Sequence, residues 1–391
     1  MAPASRRISL LPLAAVPLLL LAVLTGCSGF FVYPGTSSSS SSGSGDYAYA
    51  SNSASGSNYI NGYSLSGGSL VATTSSPYSL GFVPSAMVVT EANTYLYVAS
   101  SAAISGIGEI YGYSIGSGGA LTILNSSLGL EAENSSALDV SPDGQWLFSL
   151  NSDGLTMEEY KINTTTGLLT AEGNYPITAS AGGIVTPNAL KIAPSGNYIA
   201  CALGTAGVDV FAFNTTTGVA SSSAAVLPPP STSSGFYSLA IDSNNDLFLA
   251  GTTGLVVYTV VANSSGSVTS TLASSSTGYT LGTGNVSVAV SKSSGFVFAG
   301  SQNGGSGSTI YSYAIGTGGA LTAVSGSPFN APTDVAALAR DSTGNYLLGL
   351  GYSATSGTQL FTIGSSGALT SSGTAADGST LTIPTALALT H

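Results

Sequence analysis

Charge is what this sequence lacks most. Of its 391 residues only 6% are Asp, Glu, Lys or Arg, against about a quarter in an ordinary soluble protein. The basic residues are Arg6, Arg7, Lys161, Lys191, Lys292 and Arg340 alone. With no basic patch to neutralise phosphates, nucleic-acid binding is excluded. The same poverty argues against a site for phosphorylated or strongly anionic metabolites. There is a single histidine, His391, and two cysteines, Cys27 and Cys201, neither in a metal-binding spacing. No metal site, disulfide framework or cofactor is therefore expected. Beyond the first residues, no window of helical length carries a clean 3.6-residue apolar stripe, which argues against a helical fold.

Apolar and turn-forming residues are abundant instead. The chain holds 51 Gly, 20 Tyr and 12 Phe, and 43% of it is hydrophobic. Disorder goes with few aromatics and high charge, so a folded β protein with neutral polar loops fits better.

The N-terminus reads as an address. Arg6 and Arg7 precede an apolar run from Ile8 to Leu24, which ends at Leu24-Thr25-Gly26-Cys27. A charged start, an apolar middle and small residues before a cleavage point make a secretory signal. The Leu-Thr-Gly-Cys segment resembles the lipobox of bacterial lipoproteins. That resemblance implies removal of residues 1–26 and lipidation of Cys27, with the chain attached to the membrane through its acyl groups. Ser28 after the Cys favours the outer membrane or cell surface. The mature chain would carry four cations against 17 acids, a net charge of −13. Residues 27–45, almost all Ser and Gly from Ser37 on, read as a lipidated Cys and flexible tether. The remainder, 46–391, reads as one folded domain.

A repeat of about fifty residues runs through that domain. Short aromatic-rich strands start at Tyr47, Tyr95, Trp146, Tyr198, Asp246, Phe296 and Tyr346. An apolar strand and tight turn precede most of them, as in Leu138–Gly144 (LDVSPDG) and Leu190–Gly196 (LKIAPSG). A turn glycine and a further strand follow, as in Gly119-Ala-Leu-Thr and Gly319-Ala-Leu-Thr. Alternating segments such as Ile310-Tyr-Ser-Tyr313 supply another strand. Each unit thus reads as four strands, and seven such units make an all-β, seven-bladed β-propeller. The chain begins at a second strand and ends at an inner-strand match, Thr385–Thr390. The C-terminal strand should therefore complete the blade begun by the N-terminal three.

Tyr95–Ser100, Ser141–Gly144 and Gly319–Phe329 (GALTAVSGSPF) resemble the seven-bladed propellers of the lactonase family, related to bacterial 6-phosphogluconolactonases and YVTN-repeat surface proteins. The resemblance spans about Tyr47 to Thr390 and implies the fold. It also implies catalytic His, Glu and Arg around a central channel, and none can be matched here. His391 reads as a frayed terminus and Arg340 as a surface charge beside a turn. The expected function is thus a non-catalytic, surface-displayed binding or cell-envelope structural propeller. The alternative is a lactonase-like hydrolase of a sugar lactone. A quinone-dependent dehydrogenase would need cations this chain lacks.

Other motifs resolve into structure. Asp242-Ser-Asn-Asn-Asp246 begins like a Ca²⁺ loop but lacks its later Gly and Glu, and it falls on the recurring turn. Glu158 and Glu159 should face opposite sides of a strand. Cys201 should be a small core residue. Propeller geometry puts the loops that lead into inner strands, and those between second and third strands, on one face. That face would carry Glu109, Glu131, Glu133, Asn134, Asp153 and Asp334, a mildly acidic ring for a cation, a glycan or a partner loop. A monomer is expected.

Overall fold

An apolar run that ends in a small polar residue and a tight turn folds as a hairpin, and this chain makes that hairpin once per repeat. In the computed structural model, residues 46–54, 57–101, 108–178, 182–222, 224–229, 235–252, 254–263, 266–273, 279, 281, 286–293, 295–301, 308–331, 334–352, 357–375 and 383–391 are described. The expected signal, Cys27 and the expected Ser/Gly tether lie outside them. The body Ser42–His391 forms one compact unit.

Seven antiparallel four-stranded blades are present among the described residues. Blade 2 runs Val83–Val89, Tyr95–Ser101, Gly108–Ile115 and Leu121–Ile123 from the centre outward. Blade 3 follows with Ser135–Val140, Trp146–Asn151, Thr156–Ile162 and Leu169–Pro176. Blades 4 to 7 begin with inner strands Val185–Ile192, Phe236–Ile241, Val286–Val290 and Asp334–Arg340. Blade 1 is composite: Tyr47–Ala54, Ser57–Ser66 and Ser69–Ala72 come from the N-terminal side, and Ile383–Leu389 supplies its inner strand. Every second strand starts at the residue that the repeat spacing marks. The repeat did not reveal short extra strands such as Tyr78–Leu80, Leu130–Ala132 and Phe329–Ala331. They pair with the end of a third strand that the outer strand leaves uncovered.

Consecutive inner strands pack side by side around the ring, and Ile383–Leu389 lies between those of blades 7 and 2. Each interface between blades has its own apolar cluster, for example Trp146, Phe148 and Met157 of blade 3 against Ile199, Cys201 and Phe211 of blade 4. Fully burying a side chain such as Phe148 or Phe248 contributes about 2 kcal/mol.

One junction recurs seven times. The residue after each inner strand pairs its backbone N–H with the carbonyl of the first residue of the second strand: Thr90 with Tyr95, Ser141 with Trp146, Ala193 with Tyr198, and so on. In six of the seven the same residue is Ser, Thr or Asp, whose side-chain oxygen accepts the return N–H. Ser141 takes that of Trp146 at 3.0 Å and Asp341 that of Tyr346 at 2.7 Å. In blade 1 the junction is made between residues 343 apart: Thr390 N–H donates to the Tyr47 carbonyl at 2.9 Å, and Tyr47 N–H donates to Thr390 Oγ1 at 2.8 Å. The ring is closed by the same bonds that hold each hairpin.

A second recurrent contact links neighbouring blades. The aromatic that opens a second strand lies on the turn glycine of the next blade: Tyr47 on Gly119, Tyr95 on Gly167, Trp146 on Gly218, Phe296 on Gly367. Tyr49 and Tyr97 add hydroxyl bonds to the carbonyls of Gly119 and Gly167, both at 2.9 Å. The aromatic and glycine markers keep one phase in the sequence because they touch in space. At Gly367, φ is +81° and a Cβ would come within 2.4 Å of the Phe296 ring. At Gly318, φ is +66° with nothing within 4 Å of the same point. Gly318→Ala should therefore cost about 1 kcal/mol of backbone strain. Gly367→Ala should cost about 3 kcal/mol, since overpacking adds to strain. Denaturant unfolding of both variants measures the difference, and equal losses would remove the interblade contact from the account.

Asp209, on the third strand of blade 4, is fully buried. Its Oδ2 accepts the Thr178 N–H at 2.5 Å, while Oδ1 has no hydrogen-bond partner among the described residues. Burial pushes its carboxyl up to about 6, against the partial pull of the Thr178 bond. A carboxyl whose folded pKa lies above its unfolded value destabilises the fold when ionised. That penalty is absent near pH 4, grows toward pH 6 and is complete above it. Asp209→Asn should gain on the order of 2 kcal/mol over the wild type at pH 7.5 relative to pH 4. Thermal melts at both pH values check this; a pH-independent difference would refute it.

Candidate functional site

The seven inner strands end around one mouth of the central channel, where a cavity of about 370 Å³ opens. Aligning the junctions explains its lining. The last residue of each inner strand, blades 2 to 7 and then 1, is Val89, Val140, Ile192, Ile241, Val290, Arg340 and Leu389. Six are aliphatic and one is arginine. One residue earlier stand Val88, Asp139, Lys191, Ala240, Ala289, Ala339 and Ala388, so Asp139 and Lys191 occupy the same register in adjacent blades. Two residues after the strand, Glu91 and His391 share a register in blades 2 and 1. Blades 7, 1, 2, 3 and 4 thus carry Arg340, His391, Glu91, Asp139 and Lys191 in an arc. Blades 5 and 6 face it with Leu239–Ile241 and Val288–Val290. The site has a charged wall and an apolar wall.

Within the arc, Lys191 Nζ donates to Asp139 Oδ1 at 2.9 Å, and Ile192 N–H donates to Asp139 Oδ2 at 2.7 Å. Asp139 is buried and Lys191 half exposed, so this pair ties blade 3 to blade 4 as well as lining the cavity. His391 Nδ1 lies 3.9 Å from Glu91 Oε1, too long for a direct hydrogen bond. Its Nε2 is 3.3 Å from the Val89 carbonyl. A carbonyl only accepts, so Nε2 carries the proton in that contact and Nδ1 keeps the lone pair in the neutral ring. Arg340 is half buried. One of its N–H groups donates to the Asp341 carbonyl at 3.1 Å, and no carboxylate lies within ion-pairing distance among the described residues. Burial lowers its pKa, opposed by the charges of Asp341 and Glu91. A desolvated guanidinium without a carboxylate is a strong receptor for an anion.

This corrects the sequence reading of Arg340 as a bland turn charge and of His391 as a frayed terminus. His391 is pinned at its backbone, and both side chains line the channel. The signal was present in the repeat register, where Arg340 replaces an aliphatic that the other six units keep. Repeats aligned for their likeness conceal the position that differs.

The six residues expected on the opposite face are spread over three blades. Glu109 is half buried and accepts a short hydrogen bond from the Tyr111 hydroxyl; its strand pairs it with the exposed Glu131. Glu133 is exposed and Asn134 partly buried, its Oδ1 without a partner. Asp153 is exposed and caps its own turn through the Leu155 N–H at 2.9 Å. Asp334 opens the inner strand of blade 7, and its side chain lies outside the described residues. Glu109, Glu131, Glu133 and Asn134 are neighbours in blade 2 and at the start of blade 3, the turn that holds Asp153 reaches Asn134 through the Ser152 N–H bond to its carbonyl at 2.6 Å, and Asp334 belongs to blade 7. Among the described residues no three His, Cys, Asp or Glu side chains gather as a metal ion would need. Asp242 serves as a junction residue, accepting the Asp246 N–H at 2.8 Å. Glu158 and Glu159 bond different partners, Tyr160 and Tyr175, each at 2.6 Å. Cys201 is a buried core thiol, raised well above its ordinary pKa by burial.

A seven-bladed ring with its polar groups at a channel mouth defines a class, and the comparisons agree. Residues 47–232 match the family described as Lactonase, 7-bladed beta-propeller. The chain is a seven-bladed β-propeller, similar over residues 47–232 to the lactonase family. Solved structures extend the likeness over the whole ring. The periplasmic gluconolactonase PpgL of Pseudomonas aeruginosa superposes with a TM-score of 0.65 at 14% identity, covering 88% of this chain and 99% of that one. A protein from Lactobacillus plantarum gives 0.66 at 16%, covering 89% and 99%. A candidate 6-phosphogluconolactonase of Bacteroides uniformis gives 0.64 at 16%, covering 88% and 98%. Identities this low speak to the fold alone. No curated protein sequence matches the chain.

The blade-bridging pair yields a test of which contact matters. Lys191 is half exposed, so Lys191→Gln should cost under about 1 kcal/mol. Asp139→Ala strands both the ammonium and the Ile192 N–H and should cost about 2–3 kcal/mol. Unfolding free energies of the two variants decide, and equal costs would mean that the surface ion pair, not the buried backbone bond, joins the blades.

Proposed function

We propose that this protein is a lactonase-type hydrolase that opens a sugar lactone at the channel mouth. The observation that carries this reading is the gathering of His391, Glu91 and Arg340, which has no carboxylate within ion-pairing distance among the described residues, around one cavity in a chain with so few cations. The mechanism needs a base for water and a positive group for the oxyanion. His391 Nδ1, with Glu91 beside it, takes a proton from the attacking water. Hydroxide adds to the lactone carbonyl, and the negative charge that develops on its oxygen is stabilised by Arg340. Collapse breaks the ring C–O bond, the imidazolium returns the proton to the leaving alkoxide, and a hydroxy acid departs. Blades 5 and 6 supply an apolar wall for one face of the sugar ring. The acidic surface favours a neutral lactone over a phosphorylated one.

A second reading is a non-catalytic binding or cell-envelope propeller. It is supported by Lys191 and Asp139, which are spent on each other and on holding two blades together. In both readings Cys27 is the proposed lipid attachment at an outer membrane or cell surface.

Hydrolysis of δ-gluconolactone and related neutral lactones, followed by proton release, separates the two. His391→Gln should lower kcat about 100-fold or more, and Arg340→Gln should lower kcat/KM by a similar factor. Wild-type protein that opens none of these lactones above the spontaneous rate would hand the site to the binding reading.

A further inference from the structure

We infer that Asn93 is a positioning residue for the His391 imidazole. This rests on the lactonase reading for its consequence on rate, while its structural content stands independently of it. Asn93 lies in the turn between the inner and second strands of blade 2, outside the cavity lining. Its side-chain amide makes both backbone bonds of His391: Nδ2 donates to the His391 carbonyl at 2.7 Å, and the His391 N–H donates to Oδ1 at 2.7 Å. An amide side chain here imitates a strand partner, extending the pairing of Ile383–Leu389 to a residue beyond that strand's end. Asn93 itself sits at φ +56°, a conformation that Asn tolerates better than most residues. Its own N–H donates to the Thr90 carbonyl at 2.8 Å. The two residues come from different blades and stand 298 apart in the chain.

Two bonds to one backbone remove the swing of the residue that follows Thr390. The imidazole is then left with the Val89 carbonyl at Nε2 and Glu91 at Nδ1 as its neighbours. The other charged groups lining the cavity are Arg340, Asp139 and Lys191. Without the clamp, the ring can leave Val89, lose its set tautomer and sample solvent. Asn93 has no path to the substrate of its own and acts through the histidine.

The sole histidine makes the test direct, since its ring resonances need no assignment. Asn93→Gly keeps the positive φ and removes the clamp, and Asn93→Ser shortens the side chain below reach. Both should lower kcat about tenfold to 100-fold with KM within about twofold of the wild type. Both should also move the His391 ring resonances toward those of a solvent-exposed histidine, with the melting temperature little changed. Variants that keep wild-type kcat and wild-type His391 resonances would overturn the proposal. So would a loss of activity that merely tracks a lower melting temperature while the histidine resonances stay put. If the wild type hydrolyses no lactone but the resonances still move, the positioning role holds and the reaction assigned to the site falls.

Discussion

Everything in this molecule depends on finishing a ring. A blade alone exposes an inner strand, two apolar faces and an outer edge, and an isolated small sheet is unstable in water. Only when each blade lies against two others do the aromatic clusters between them become dry. The Thr390–Tyr47 junction is therefore the constraint on which the rest hangs. It is built from the same backbone bond that the six covalent hairpins use, with a side-chain oxygen accepting the return N–H as in five of them. Ser342 also donates a short bond to Asp46, tying blade 7 to the first strand of blade 1. The closure is continuous with the repeat rather than an addition to it.

The scarcity of charge gives the channel mouth its meaning. Beyond residues 1–26, cations stand at four positions only, and two of them, with the one histidine, line one cavity. Chance placement of so few groups would scatter them on the rim, where water screens each. Instead Lys191 is answered by a buried carboxylate, while Arg340 is held between burial, which opposes its charge, and more distant acids, which favour it. The two cations at the ends of the arc divide the work: Lys191 holds blades 3 and 4 together, and Arg340 has no carboxylate within ion-pairing distance among the described residues.

The architecture was legible because propeller contacts recur. Tyr95 and Gly167 must touch, as must Tyr47 and Gly119, so the sequence repeats the same pair at the same spacing. The composite blade 1 was legible for the same reason, since Thr385–Thr390 carries the inner-strand pattern. The site was not. His391 looks terminal and Arg340 looks like a turn charge until the seven junctions are superposed, and only then do they fall into one arc. The acidic residues assigned to the opposite face carry charge, and strand pairing sets Glu109 against Glu131, but among the described residues they hold no cluster of three that a metal ion would need. A repeat encodes what all copies share; chemistry sits where one copy departs.

Closure by Ile383–Leu389 also sets an order of events. The strand pairs with partners 330 or more positions away, and such distant pairings form slowly because a long loop must close first. Until they form, the first three strands of blade 1 present an unpaired edge, a template for the wrong partner. The residue proposed as base rides on the same segment. A molecule with its ring still open is thus the aggregation-prone species and also one in which the proposed base is not yet placed.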